Sequence, residues 1–149
     1  MDKVYQMAAA AVGAVIGFFT GMPPLMWVLL GAMTLDYVTG IMCGFAGKSL
    51  KTEGGGLSSK AARDGLMRKM MIIFVVLLAV LLDCAVQVGA GVSFSAVTGA
   101  TCLWFIASEG VSILENAAEL NVPVPGVLRN ALEIMKSGGD SEDEEGKEG

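Results

Sequence analysis

The chain has 149 residues, 54% hydrophobic and 17% charged, with a formal net charge of −5. That length allows one domain and a short tail, and the absence of His removes the commonest general base and metal ligand at neutral pH. The negative charge comes mostly from the last ten residues, so it describes a tail and not a ligand preference of the body.

The class is decided by where charges are missing. Asp, Glu, Lys and Arg are absent from 4–35, 37–47, 70–82 and 84–108. A soluble helix cannot stay uncharged that long, because one face must meet water. An all-α integral membrane protein is therefore expected, with a membrane domain over 1–136 and a disordered acidic tail over 137–149. The Cys residues at 43, 84 and 102 lie inside apolar stretches without CxxC spacing, which suggests neither a zinc site nor a disulfide framework.

The first predicted span covers 4–22, about 28 Å at the rise of an α-helix. It does not read as a signal peptide, since no small-x-small site is followed by a polar mature start. Pro23-Pro24 breaks the helix and marks a tight turn. The second span covers about 25–46, and a basic, Gly-rich loop follows. The third, about 70–89, is entered through Lys60, Arg63, Arg68 and Lys69, a cationic collar suited to anionic lipid headgroups at a cytoplasmic surface. Ser58 is the expected N-cap of the helix running into that span.

Gly89-Ala90-Gly91 is the next turn and 92–113 the fourth span, after which Glu115, Asn116 and Glu119 signal a return to water. Beyond the break at 121–126, residues 127–136 form a short amphipathic helix suited to the membrane surface or to packing on the loop. From Ser137 the chain is polar, acidic and expected to be disordered. Four spans place all ten Lys and Arg on one side, while the two opposite turns carry no charge. The positive-inside rule then puts both termini in the cytoplasm. A three-span alternative makes 4–22 re-entrant or surface-bound and leaves Lys3 alone outside.

Three carboxylates interrupt the apolar spans. Asp36 lies near the middle of the second, Asp83 toward the outer end of the third, and Glu109 near the inner end of the fourth, where it can snorkel to the interface. A carboxylate at bilayer depth costs roughly 2.5–3.5 kcal/mol on insertion scales, so such residues face a protein interior or water. Thr39 shares the second span with Asp36. Ala32, Asp36, Gly40 and Gly44 recur every four residues there, as do Ala9, Gly13, Gly17 and Gly21 in the first span. Small-xxx-small faces of this kind let helix backbones approach closely. They fit either a monomeric bundle or oligomerisation with the stripes turned toward a pore.

Enzyme signatures are lacking. Gly54-Gly55-Gly56 before Ser58-Ser59-Lys60 does not keep the spacing of a phosphate loop, and the basic loop lacks the aromatics of a nucleic-acid site. Neither a cofactor nor a metal is implied. A transporter or ion channel subunit would use Asp36 and Asp83 as ion or proton ligands. An accessory scaffold would hold a partner through loop 47–69 or the tail.

Several segments in order resemble the phage holin family that includes toxin-secretion and phage-lysis holins of Gram-positive bacteria. They are Leu35-Asp36-Tyr37-Val38-Thr39-Gly40, Ser58-Ser59-Lys60 with Gly65-Leu66 and Arg68-Lys69, Leu82-Asp83, and Ser108-Glu109-Gly110-Val111-Ser112-Ile113-Leu114-Glu115-Asn116 followed by Pro123-Val-Pro125. The resemblance spans roughly 25–130. It implies a protein that accumulates in the cytoplasmic membrane, oligomerises and opens lesions, through which a muralytic endolysin or a large toxin leaves the cell. It supplies no catalytic residue, only structural or gating roles for Asp36, Thr39, Asp83, Glu109, Glu115 and Asn116. Many holins end in a basic tail, whereas this chain ends in an acidic run, so a tail-to-lipid anchor is not expected.

Overall fold

The computed structural model describes residues 2–20, 22–52, 54–93 and 95–140. Five helices follow one another: α1 (Asp2–Thr20), α2 (Pro24–Phe45), α3 (Ser59–Ala90), α4 (Ala96–Glu119) and α5 (Gly126–Asp140). No strand occurs among the described residues. The all-α expectation holds, and α2, α3 and α4 are each long and apolar enough to cross a membrane. Helix α3, at 32 residues, measures about 48 Å against a hydrocarbon core of roughly 30 Å. Its charged first turns therefore extend beyond the apolar layer.

Local chemistry sets the helix ends. Pro24 opens α2, where a missing N–H costs nothing. The helix closes with Lys48 N–H donating to Cys43 O (2.9 Å) and Gly47 N–H to Gly44 O (3.2 Å). Gly47 is left-handed at φ 67°, as such a C-terminal motif requires. Ser58 caps α3 as expected, its hydroxyl accepting from Ala61 N–H. Helix α4 closes in the same way as α2, with Asn121 (φ 60°) in the left-handed position and Val122 N–H donating to Ala117 O (2.9 Å). Helix α5 continues through Ser137 to Asp140. Residues 137–140, expected to belong to a disordered tail, are thus helical, and 141–149 lie outside the described residues.

Helix α4 is the centre of the bundle. It packs against α2, α3 and α5, while α2 and α3 touch each other only sparingly and, among the described residues, no packing of α1 on the other four is seen. The buried apolar core is Leu29 and Met33 from α2, Ile72 and Val76 from α3, and Cys102 from α4. On α2, Leu29, Met33, Asp36, Cys43 and Gly44 are buried; on α3, Lys69, Ile72, Val76, Ala79 and Asp83. From Leu29 to Cys43, and along α3, these spacings of three, four and seven are a heptad seam. The buried face of α2 runs from Leu29 and Met33 into the every-fourth stripe, of which Asp36 and Gly44 are buried and Ala32 and Gly40 half-buried.

Apolar side chains cover the outside. Phe74, Leu78 and Leu81 are each more than half exposed, and Ile73, Val75, Leu77, Leu82 and Val86 join them along α3. Exposed apolar area on that scale is untenable in water and natural in lipid. The chain is a membrane protein.

Candidate functional site

Next to the Met33 and Ile72 layer, toward the start of α3, lies a layer of charge. Lys69 Nζ of α3 donates to Asp36 Oδ2 of α2 at 2.9 Å and to Glu109 Oε2 of α4. The three side chains are only about a tenth exposed. One ammonium thus ties three helices together. Two carboxylates against one ammonium leave a single negative charge, and Lys51, from the loop, reaches Asp36 Oδ1 at 3.9 Å with half its side chain exposed.

Asn116 extends the network along α4. Its amide donates to Asp36 Oδ1 (3.2 Å) and to Thr39 Oγ1 (2.9 Å), and Thr39 returns its own hydroxyl to Leu35 O (2.9 Å). Cys43 Sγ closes against Asn116 O at 3.3 Å. Every fully buried side-chain nitrogen and oxygen among the described residues has a partner, the condition under which a buried charge cluster is tolerated.

Asp83 has a different task at the other end of the bundle. Ser95 precedes α4 without offering a side-chain cap. Asp83 of α3 supplies one instead, accepting from Val97 N–H (3.2 Å) and Thr98 N–H (2.8 Å). A carboxylate there satisfies orphan amides and meets the positive end of the α4 dipole.

Between α2, the start of α3 and the loop is a partly open cavity of about 600 Å³, roofed by the charge layer and walled on α4 by Trp104, Phe105, Ser108 and Ser112. The loop that borders it is compact. Thr52 Oγ1 donates to Gly56 O at 2.7 Å, and Gly55, at φ 76°, passes so near Gly47 O that a Cβ would fall 2.2 Å from it. No group of His, Cys, Asp and Glu among the described residues is arranged to hold a metal.

With this geometry in view, residues 13–137 match the bacteriophage holin family. The chain belongs to that family. This holin is 32% identical to a probable holin of Bacillus phage phi105 over 74% of its own length and 73% of the relative's. It is 30% identical to an uncharacterized protein of Halalkalibacterium halodurans over 91% and 96% of the two chains. With an uncharacterized protein of Clostridium perfringens it shares 37% identity over 73% of each. No solved structure matches it. The family is one of non-enzymatic membrane proteins, and the chain is not an enzyme.

The residues singled out in the sequence fall into three groups in the holin. Asp36, Thr39 and Glu109 are brought together, whereas Asp83 stands apart as a helix cap. Glu109 does not snorkel, because Lys69 meets it inside the bundle. Asp36 lies level with Lys69 and not beyond it among the apolar residues of α3. Of the four collar cations, Lys60, Arg63 and Arg68 are exposed as headgroup contacts must be. Lys69 is a correction: two carboxylates draw it inward, away from any headgroup.

The glycines also divide. Gly44 faces Leu57 of its own loop, a Cβ there lying 3.2 Å from Leu57 Cγ, so this position is filled within the chain. Gly40 lies opposite the Asn116 amide, at 3.8 Å from a Cβ position. Gly13 and Gly17 have nothing within 4 Å of their Cβ positions. Gly110 of α4 was not foreseen; it forms the notch that receives Leu132 of α5. Asn116, read from sequence as a marker of water, is buried. Lys69 and Asn116 were detectable in principle, since Lys69 continues the seam Ile72, Val76, Ala79 and Asn116 sits seven residues beyond Glu109.

Proposed function

We propose that this holin accumulates in the cytoplasmic membrane with α1 as a fourth span and both termini cytoplasmic, oligomerises there, and opens lesions for a muralytic endolysin or a large exported toxin. The observation that carries the reading is the family match over 13–137. The described fold supports it. Among the described residues α1 makes no packing contact with the other four helices, and Gly13 has nothing within 4 Å of a Cβ position, as a helix available to neighbouring copies needs. With four spans, all ten Lys and Arg fall on one side.

The test is inducible expression in a Gram-positive host, following membrane potential and optical density with and without a co-expressed endolysin. Sudden depolarisation after a delay, with lysis only when the endolysin is present, is the expected result. A steady potential with the endolysin retained inside rejects the proposal.

A further inference from the structure

The cavity between α2 and the cytoplasmic end of α3 has charge and shape that the ion layer does not use. Three of its charged lining residues, Asp36, Lys69 and Glu109, satisfy one another and leave one negative charge. Asp64 also lines the cavity and lies 4.0 Å from Arg63, which does not. Lys51 and Arg68 bring two positive charges to the opening, and the formal charge of the whole lining is zero, so what the cleft offers an anion is these two loosely held cations and not a net charge. Arg68 forms no ion pair among the described residues. Lys51 touches Asp36 only at 3.9 Å, and Lys69 and Asn116 keep Asp36 paired if Lys51 is drawn away.

The cavity sits where α3 changes from the basic collar to the apolar run; in the orientation proposed above, on which this inference rests, that is the level of headgroups in the cytoplasmic leaflet. Its lining changes in the same direction, from Lys51 and Arg68 past Ser108 and Ser112 to Ile72, Trp104 and Phe105. Basic pockets between membrane helices on the cytoplasmic side suit anionic lipid headgroups. We infer that this cleft binds one anionic phospholipid of the cytoplasmic leaflet, its phosphodiester held by Lys51 and Arg68 and the start of its acyl chains against Trp104 and Phe105. The site differs from general attraction to the collar because Lys60 and Arg63 do not line it.

The two Trp residues of the chain are Trp27 and Trp104, so Trp27→Phe leaves Trp104 as sole reporter in the full chain in detergent micelles. Brominated phosphatidylglycerol is expected to quench Trp104 at a mole fraction on the order of tenfold lower than brominated phosphatidylcholine, consistent with two cation–headgroup interactions. Lys51→Gln with Arg68→Gln should abolish that preference. Both side chains lie outside the core, so the variant keeps its fold. Lys60→Gln with Arg63→Gln should keep the preference. Equal quenching by the two lipids, a preference that survives the cleft variant, or one lost equally in the collar variant overturns the inference. Relief of quenching by soluble glycerol phosphate would make the cleft a free-phosphate site and overturn it too.

Discussion

Replacing Lys69 with Met tests the ion layer directly. The substitution keeps the length and apolar stem of the side chain while removing the one cation that Asp36 and Glu109 share. All three groups are about nine-tenths buried, so water does not replace the lost partner. Removing one member of a buried ion pair costs about 3–5 kcal/mol, because the remaining charge stays desolvated and unpaired. That is roughly two to four orders of magnitude in the folding equilibrium. Asp36→Asn, Lys69→Met and Glu109→Gln together leave no charge stranded, and this triple variant should match the wild type or exceed it in stability. Unfolding of the purified chain in mixed micelles by increasing dodecyl sulfate, followed by helicity, measures both. A single variant within about 0.5 kcal/mol of wild type, below the expected range, would refute the reasoning. So would a triple variant as unstable as the single one.

Asp83→Ala removes the cap of α4 and should cost about 1–2 kcal/mol, with faster hydrogen exchange at the Val97 and Thr98 amides; unchanged exchange would show that the cap contributes nothing. A Cβ at Gly110 would fall 2.8 Å from Leu132 Cδ2, so Gly110→Ala should loosen α5 at about 1–3 kcal/mol and speed proteolysis between α4 and α5. Leu132→Ala in that background should restore resistance; if it does not, the notch is not what holds α5. Gly13→Leu, where nothing lies within 4 Å of a Cβ position, should leave the stability of the single chain unchanged yet abolish cross-linked ladders, and normal ladders would exclude that face from oligomerisation. Asp36→Asn keeps the Asn116 contact but weakens the hold on Lys69, so it should shift the time of lysis in an induced culture; unchanged timing rejects a gating role.

Sequence and structure agree where a one-dimensional pattern carries the physics. The charge-free runs located α2, α3 and α4, and Ser58 and the Pro23-Pro24 break located helix ends, because hydropathy and capping act within a few residues. Asp36, Asp83 and Glu109 stood out because a carboxylate in an apolar run is costly wherever it points. Their partners were less legible. Lys69 sits next to Arg68 in a basic stretch, and only tertiary contact with residues 33 and 40 positions away turns it inward. What meets the small residues was no more legible: Gly44 is buried against Leu57, whose approach depends on how the loop folds back. A strict every-fourth spacing also drifts around a helix, whereas the three-four alternation of Leu29, Met33 and Asp36 follows the seam.

Lys69 and Asp83 stand fourteen residues apart on one helix, two full heptads, and therefore on the same side about 21 Å from each other. Each binds α4, one through Glu109 and the other through the amides that open that helix. The slab between them holds only apolar and small side chains on the seam, with nothing directional to resist motion. Rotation of α3 about its own axis, or a slide along α4, must therefore break both attachments in one movement. A small displacement gains nothing until the two have gone. A helix pinned at two levels in this way is held against both rotation and sliding more firmly than either attachment alone would hold it.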